Sequence, residues 1–568
     1  MLEKIKDIRL KLSNNRFQEN CTAYDAKIGL VATDATKSSI HPTRKNVAFA
    51  HNVFSLRQEE YYDTARNILH RICNLQDRNP ESHTYGLWPT SFEEKLCEVE
   101  FPDFNFADFI STSLIGTLKT CEEFLTITLI EEMKEALKLA AYCSMKRHVG
   151  LDYTNVICMS CFTITATGEI LKNKEIFNFG KSELKRFLKY TKACNAFSEY
   201  NSPCYIIVAA EAIDNMIKYF EDDECRSMAL ELNDFLWKMG AKHYSSTFNE
   251  YTPPYIRNYS DLDSGRDALF IWGATDGKYG KLPENLSGGG LDTVRCPEKF
   301  FHLFDEEFWE EITYYKKNNI RQKDEDVTIV RNLDSPDLIA YSYKTKEYLF
   351  GSFQKTDLWG QRRNLMLIWN PEDKRFLKLC ALKDGQDFSS AMAYTVQNKE
   401  ESVTLLGFAT DNGDKHYIVD PLNAGKFSAK KLSFMIKTGG AKKLLFEKRD
   451  NEYVLYDGDF FVSIRVDAWY FDGEKGDVRI TENGLEIICF DSDVEKEIDL
   501  YNLDKTYGVI SLSVQKRTKP PKIEIEGNRI KVKSGIGTIE GYNIPQKYND
   551  CIINTSVYKS EQKQEEKL

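Results

Sequence analysis

The sequence is sparing in residues that interrupt regular structure. Its 568 residues include only 15 prolines and 31 glycines, so long disordered linkers are not expected. It has no run of about 18 apolar residues, which argues against a membrane-spanning helix. The first ten residues, MLEKIKDIRL, lack the apolar core of a signal peptide. We therefore expect a folded protein that works in the cytoplasm and does not bind a membrane.

The chain also lacks an excess of positive charge. Its 76 Lys and Arg residues are outnumbered by 87 Asp and Glu residues, which gives a net charge of −11. Nonspecific binding of nucleic acid needs a basic surface, so nucleic acid is not expected as a partner. A local cluster of Arg and Lys can still bind a small anionic substrate.

Recognisable metal or redox motifs are scarce. The 14 cysteines are scattered, as expected for reduced thiols. The C-x-x-C of residues 158–161 lies in an apolar helical run without a second pair, which favours two buried thiols. His302 and His416 are isolated and lack ligand spacing. No cofactor is predicted, a structural divalent metal in the C-terminal half is left open, and the oligomeric state is not indicated.

The hydrophobic period changes once along the chain. Residues 122–240 show apolar positions three to four apart in serial helices of 15–20 residues. After about residue 326, short β-like runs alternate with Asn-Gly and Asp-Gly turns. This order predicts an α+β multidomain chain. We expect a helical (α/α) toroid over 1–325, an antiparallel β-sandwich over 326–550 and a polar tail over 551–568.

One stretch, NAFSEYNSPCY at residues 195–205, concentrates polar and aromatic groups between two helical patterns. Pro203 suits the first turn of the second helix, which places Ser202 at the N-cap position with a hydroxyl able to accept from an orphan N–H. Glu199 and Asn201 either contribute to a site or cap helix ends, and residue chemistry alone leaves both interpretations open.

Several short strings resemble heparinase II/III-like proteins of the toroid-type polysaccharide lyases. They are YGLWP (85–89), NFADF (105–109), RHVGLDYTN (147–155), FSEYNSP (197–203) and GSFQKTDLWGQRR (351–363). The resemblance implies the same toroid-and-sandwich layout. It also implies cleavage of a uronate-containing, acidic oligosaccharide or polysaccharide by β-elimination.

That reaction removes a weakly acidic proton next to a carboxylate. The carboxylate must be neutralised by an amide or a cation, a base must take the proton, and an acid must protonate the leaving oxygen. The resemblance implies Asn for the first task and His or Tyr for the others. The candidate neutralisers are Asn155, Asn201 and Asn105, with Arg257 as a carboxylate clamp.

The acid and base candidates are tyrosines and one histidine. Tyr200 leads, followed by Tyr205 and Tyr259, and each needs a nearby cation to act as a base at neutral pH. His243 is a plausible base because a free histidine side chain titrates near neutrality, but it can equally be a helix-end residue. The family loop similar to residues 254–259 often has His where this chain has Tyr255. If that His is the family's base, this chain uses Tyr255 or another group instead, or has lost the activity.

Two other function classes stay open. A glycoside hydrolase needs a second carboxyl group about 5–10 Å from Glu199, and Asp108, Asp152 and Asp263 are candidates. A non-catalytic glycan-binding protein needs an aromatic cleft without an acid–base pair. On the sandwich, Trp359, Gln361 and Arg363 are expected to line the cleft, with interface packing as the alternative.

Overall fold

The computed structural model describes residues 2–36, 39–194, 196–282, 294–314, 320–323, 326–329, 338–411, 422–440, 444, 446–548 and 554–557. The predicted order of helices first and antiparallel sheets second is confirmed. In the described part of the chain the α-helices are α1 (Leu2–Ala23), α2 (Thr43–Ser55), α3 (Tyr62–Leu75), α4 (Asn105–Thr120), α5 (Ile127–Arg147), α6 (Thr154–Ile170), α7 (Lys174–Cys194), α8 (Pro203–Tyr219), α9 (Asp223–His243) and α10 (Arg266–Ala274).

The helices form two rows. In the inner row α2, α4, α6, α8 and α10 contact one another in that order, and in the outer row α3, α5, α7 and α9 do the same. Helix α6 is the most enclosed, since every residue from 154 to 168 is buried. An apolar surface on all sides is what a helix surrounded by others requires. Two short ribbons flank the helices, β1 (Tyr24–Asp25) with β2 (Leu30–Val31), and β3 (Tyr244–Ser245) with β4 (Glu250–Tyr251).

The described residues of the C-terminal part form three stacked sheets and one short hairpin. The nine-stranded sheet contains β5 (Phe308–Tyr314), β8 (Leu338–Lys344), β9 (Tyr348–Phe353), β11 (Leu365–Trp369), β12 (Arg375–Lys383), β13 (Gln386–Asp387), β16 (Lys426–Gly440), β21 (Asp477–Thr481) and β22 (Gly484–Asp499). The eight-stranded sheet contains β10 (Lys355–Asp357), β14 (Ala391–Asn398), β15 (Glu401–Phe408), β17 (Phe446–Arg449), β18 (Glu452–Asp457), β19 (Phe460–Phe471), β20 (Glu474–Lys475) and β23 (Tyr507–Val514). The four-stranded sheet contains β24 (Lys522–Glu526), β25 (Arg529–Lys533), β26 (Gly537–Tyr542) and β27 (Asn554–Val557), and the hairpin pairs β6 (Ile320–Lys323) with β7 (Asp326–Ile329).

The centre of the nine-stranded sheet, strands β9 and β11, is buried on both faces. On β11, Met366 and Ile368 pack into the helical core, whereas Leu365 and Leu367 pack against the eight-stranded sheet. This explains why the strand reads as one continuous apolar run, LMLIW, instead of alternating with polar residues. The other face of the eight-stranded sheet packs on the four-stranded one.

The helical and sheet parts approach closely at Gly351 on β9. A Cβ atom there would lie 1.9 Å from the carbonyl oxygen of Pro253, in the loop that follows β4. Only glycine permits this contact between the two parts.

Among the described strands of the three stacked sheets, two lie outside the predicted sandwich limits. β5 belongs to the nine-stranded sheet although the sequence pattern starts the sandwich at residue 326, because its consecutive glutamates hide the strand period. β27 lies in the segment predicted as a tail, and residues 558–568 lie outside the described ones. The domain boundaries themselves stay a prediction.

Candidate functional site

The first turns of the inner helices lie side by side at one end of the toroid. Arg44, in the first turn of α2, stacks 4.1 Å over the ring of Phe109, early in α4. Arg266, the first residue of α10, donates to the carbonyl of Cys204 in the first turn of α8 at 3.4 Å. Neighbouring inner helices therefore run in the same direction, and their partial positive charges face the same end.

Glu199 lies at this end and binds the N-terminus of α6. Its carboxylate accepts from the backbone N–H of Asn155 at 2.7 Å and from the Asn155 amide at 2.8 Å to each oxygen. Burial raises the pKa of Glu199 above its usual value, although Asn155 and Arg257 oppose the shift. The carboxyl group is thus an internal anion held in a helix N-terminal site.

Arg257 joins this carboxylate to the sandwich. Its guanidinium lies 3.5 Å from Glu199 and donates to the side-chain oxygen of Gln361 at 3.1 Å. The guanidinium carbon lies 4.4 Å from the centre of the Tyr205 ring and 5.3 Å from that of Trp359. The side chain remains 22% exposed, so a planar cation is framed by two rings and still faces solvent.

Two phenols lie beside this cation. The hydroxyls of Tyr205 and Tyr259 are 2.6 Å apart. Burial raises the pKa of Tyr205 well above its usual value, with Arg257 opposing. Tyr259 is 63% exposed, which leaves its oxygen accessible to a ligand.

The leading acid–base candidates, Tyr200 and His243, form a pair that is enclosed. The Tyr200 hydroxyl lies 2.9 Å from Nε2 of His243, and Nδ1 of the same ring lies 3.0 Å from the Met239 carbonyl. Because a carbonyl only accepts, Nδ1 carries the proton and Nε2 accepts from Tyr200. Both side chains are fully buried, and their catalytic roles stay a prediction.

Tyr255 and Asn201 are held by backbone groups in the same interior. The Tyr255 hydroxyl donates to the Tyr251 carbonyl, and burial raises the pKa of Tyr255 well above its usual value. The Asn201 amide donates to the carbonyls of Thr252 at 2.6 Å and Pro254 at 3.0 Å. These contacts fix the loop that carries Arg257, and any role in substrate binding stays a prediction.

The expected cap of α8 is different from the one observed. Pro203 occupies the first turn and Ser202 the N-cap, but the serine side chain makes no cap hydrogen bond. Its hydroxyl donates to the backbone carbonyl of Arg257 instead. The predicted cap hydrogen bond was wrong because a loop that is distant in the sequence offers the serine hydroxyl an acceptor, and the residues next to Ser202 do not reveal that loop. Asn195 lies outside the described residues.

The remaining predicted residues occupy different surroundings. Asn105 begins α4, and the oxygen of its half-buried side chain has no partner among the described residues. Arg363 is buried, donates to the carbonyl of Ser260 at 3.1 Å and pairs with Asp261 at 2.9 Å. Arg363 therefore fastens the Arg257 loop to the sandwich, whereas Trp359 and Gln361 contact Arg257 directly.

Two of the carboxyl groups that were candidates for the second catalytic carboxyl of a hydrolase, beside Glu199, make other contacts. Asp108 is enclosed, accepts from Ser144 at 2.8 Å, and has its pKa raised to about 7 by burial. Asp263 accepts from the backbone N–H groups of Asp267 and Ala268, both at 3.0 Å, at the start of α10. Asp263 therefore serves as a helix cap.

The described residues offer no group of three or more His, Cys, Asp or Glu side chains placed to hold a metal ion. His302 is part of a short 3-10 helix, Glu298–Phe304, and His416 lies outside the described part of the chain. Over the same described residues, none of the helices is long and apolar enough to cross a membrane.

Sequence comparisons give one limited likeness. A family model described as "Domain of unknown function (DUF8769)" matches residues 11–290. No curated protein sequence matches the chain.

Sixteen chains of solved structures match this one. The chain is similar to heparinase III at 9% identity and a TM-score of 0.45, covering 88% of this chain and 82% of that one. It is similar to a heparan sulfate lyase HepC mutant from Pedobacter heparinus at 12% identity and a TM-score of 0.35, covering 92% of this chain and 83% of that one. It is similar to Streptomyces coelicolor A3 chondroitin AC lyase in complex with chondroitin sulphate at 8% identity and a TM-score of 0.47, covering 94% of this chain and 84% of that one. At these scores the likenesses assign no reaction, and a functional proposal has to stand on the side chains of the site.

Proposed function

We propose that the chain binds an acidic oligosaccharide at the junction of toroid and sandwich and cleaves it by β-elimination. One observation carries this proposal: the partly exposed guanidinium of Arg257 lies between the rings of Tyr205 and Trp359 and already pairs with a carboxylate, that of Glu199. A uronate unit offers the same combination of a carboxylate and an apolar ring face.

Binding follows from the chemistry of these groups. A sugar carboxylate pairs with Arg257 through the donors that the long contact with Glu199 leaves weakly used. The rings of Tyr205 and Trp359 supply flat surfaces for the sugar. The Nε–H group of Arg257 donates to the side-chain oxygen of Gln361, and this contact fixes the plane of the guanidinium. The cation then withdraws charge from the carboxylate and makes the neighbouring C–H more acidic.

The proton transfer is assigned to the exposed phenol. The Tyr259 hydroxyl lies 2.6 Å from that of Tyr205, whose ring stacks against the Arg257 guanidinium. The proposed reaction uses Tyr259 as a phenolate: it takes the proton next to the carboxylate, the electron pair forms the C=C bond, and the glycosidic C–O bond breaks. The same phenol returns the proton to the departing oxygen, so no further reactant is consumed.

Non-catalytic glycan binding is the second candidate. This candidate is supported by the burial of Tyr200, His243 and Tyr255. Among the described candidate residues, the cation of Arg257 and the phenols of Tyr205 and Tyr259 then remain on the accessible side of the junction. This alternative uses the same Arg257 surface and differs only in the absence of bond cleavage.

The test is ultraviolet absorbance during incubation with a panel of uronate-containing oligosaccharides, since β-elimination leaves a conjugated, unsaturated uronate. The account predicts a rising signal in the wild-type chain, lowered about 100-fold or more in Tyr259→Phe. Tyr501→Phe, which alters a tyrosine of similar exposure (55%) on the sandwich, retains the signal.

Three results would redirect the proposal. New reducing ends without the absorbance assign hydrolysis and return attention to Glu199. Binding without any cleavage assigns the non-catalytic alternative. Cleavage that survives Tyr259→Phe but not Tyr200→Phe moves the acid–base role to the enclosed pair.

A further inference from the structure

The outer face of the four-stranded sheet carries opposite charges on neighbouring strands. On β25, Ile530 and Val532 belong to the apolar cluster shared with the eight-stranded sheet. Because side chains alternate along a strand, the residues next to them point to the outer face. Two cross-strand pairs there share one pattern, an acid on β24 opposite a base on β25: Glu526 with Arg529, and Glu524 with Lys531. In these two rows β24 is acidic and β25 is basic.

A groove separates the two rows of side chains. Its floor is the backbone of the intervening row, which includes Ile530 and Gly541, and its volume is about 680 Å³. Tyr542, half-buried on β26, continues the row of Glu526 and Arg529. The two rows therefore project from the sheet as separate walls, and their charged ends are accessible.

The row next to the β24–β25 turn has no partner inside the chain. Within the described residues, neither the Glu526 carboxylate nor the Arg529 guanidinium forms an ion pair or a hydrogen bond, and both side chains are exposed. The turn between them is fixed, because the side chain of Asn543 donates to the Gly527 carbonyl at 3.1 Å and its backbone N–H to the Asn528 carbonyl at 3.0 Å. An ordered backbone thus presents two unpaired charges of opposite sign.

The second row is paired only at the surface. Glu524 lies 2.7 Å from the ammonium group of Lys522 and 2.8 Å from that of Lys533, and Lys531 pairs with Glu540. Ion pairs between accessible side chains contribute little to stability. Exchanging them for contacts with another molecule therefore costs little.

We propose that this outer face binds the same face of a second copy of the chain, about a two-fold axis that runs along the strands between β24 and β25. Rotation about that axis places β24 of one copy over β25 of the other. Glu526 then faces Arg529 of the partner subunit, and Glu524 faces Lys531 of the partner subunit. Each contact occurs twice, so all four positions near the axis bring an acid to a base.

The dimer is expected to be weak and sensitive to salt. Four strands of about five residues offer about 300 Å² of sheet, well below the roughly 800 Å² per partner of a typical stable complex. In the third row, Lys522 faces Lys533 of the partner subunit, which confines the attraction to the two rows nearer the turn. Exposed charges are also screened over about 8 Å at physiological ionic strength.

This inference does not depend on the proposed function. The four-stranded sheet packs on the eight-stranded sheet, which packs on the nine-stranded sheet, and only the last of these contacts the helices. Two sheets therefore lie between the dimer face and the Arg257 site. Loss of the dimer leaves the proposed glycan site intact, and a failure of the proposed function leaves the dimer untouched.

The test is sedimentation velocity of the full chain over a range of protein concentrations, at low and at high salt. The wild-type chain is expected to form a dimer whose fraction rises with concentration and falls with salt. Arg529→Glu and Glu526→Arg are each expected to weaken the dimer at least about tenfold, because like charges then face each other across the axis. An equal mixture of the two variants is expected to restore it, since a row of two acids then faces a row of two bases.

The control is Arg449→Glu, which reverses an exposed arginine on β17, at the edge of the eight-stranded sheet, and is expected to leave the dimer unchanged. Thermal unfolding with an unchanged midpoint shows that each variant is folded. A wild-type chain that stays monomeric at low salt, or a dimer that both reversals leave intact, would overturn the proposal. Loss of the dimer in both variants without recovery on mixing would refute the two-fold pairing.

Discussion

At the scale of single residues, Glu199 explains how the site is kept in order without a ligand. Its carboxylate is fixed by the backbone and the amide of Asn155, and it gives Arg257 an internal counter-charge. The contact with Arg257 is long, at 3.5 Å, and therefore weaker than an ideal bidentate pair. We infer that an arriving carboxylate competes with Glu199 for the same cation.

This competition predicts a pH dependence of binding. Burial raises the pKa of Glu199, so the folded protein begins to protonate this group above the usual carboxyl range. As the pH falls through that pKa, Glu199 loses its charge, Arg257 becomes available, and affinity for an acidic oligosaccharide rises. Glu199→Gln is expected to bind about fivefold more tightly at pH 8, corresponding to about 1 kcal/mol, and to show a flatter pH profile.

Calorimetry between pH 5 and pH 8 measures both effects. The matched variant is Glu131→Gln, which removes an exposed carboxylate near the start of α5, at the far end of the toroid. Equal affinities and equal pH profiles for Glu199→Gln and the wild-type chain would show that Glu199 does not compete.

The sequence predicted the members of this site better than their partners. Glu199, Asn155 and Arg257 were all candidates, because charged and amide groups cluster near helix ends. Asn155 and Glu199 are 44 positions apart in the sequence, and Glu199 and Arg257 are 58 positions apart. A local sequence pattern carries no information on such contacts. Ser202 shows the same limit, since its cap role was lost to a carbonyl 55 residues away.

At the scale of elements, the inner helices place their N-terminal turns at one end, and the outer helices place their C-termini there. Helical period predicted the helices of this region because their buried faces repeat every three to four residues. The period does not show where a helix begins: α3 starts at Tyr62, directly after the 3-10 turn Glu59–Tyr61. Helix ends depend on contacts that the period does not contain.

The C-terminus of α9 depends on a lysine from the sandwich. Lys344, on β8, donates to the carbonyls of Lys242 at 2.7 Å, Tyr244 at 3.1 Å and Leu303 at 2.9 Å. Carbonyls at the end of a helix have no partner within the helix. The ammonium group therefore satisfies the end of the helix that carries His243 and ties it to the sheet.

Lys344→Met is expected to lower the free energy of unfolding by about 3 kcal/mol, since it leaves buried carbonyls without a donor. Lys346→Met is the control, because that side chain is 75% exposed and its ion pair with Glu307 is long, at 3.9 Å. It is expected to change stability by less than about 0.5 kcal/mol. Denaturant unfolding followed by circular dichroism compares them, and equal midpoints would contradict the role of Lys344.

At the scale of the whole molecule, the nine-stranded sheet is the shared wall of two cores. One face packs on the helices and the other on the eight-stranded sheet. The close contact of Gly351 with Pro253 brings the Arg257 loop against the sandwich, and Arg257 then reaches Gln361, 104 residues further along the chain. The site therefore exists only when both parts are docked.

The general layout was visible in the sequence, because the apolar period changes from helical to strand-like along the chain. The order of the strands within the sheets was not visible, since β16 pairs with β12 and β22, which are distant from it in the sequence. The sequence analysis placed Trp359, Gln361 and Arg363 at the cleft or at the interface. It did not indicate which faces of the two parts dock, because those faces are apolar runs indistinguishable from ordinary core.

The proposed function depends on Arg257 binding the carboxylate of an acidic glycan at this junction. The most direct measurement is calorimetric titration of the full chain with an unsulfated oligouronate and with a neutral oligosaccharide of equal length. We predict binding of the acidic ligand alone, weakened about tenfold or more in Arg257→Gln and less in Arg257→Lys, which keeps the charge but loses the bidentate geometry. Equal binding of the acidic and neutral ligands, or an unchanged affinity in Arg257→Gln, would contradict the account.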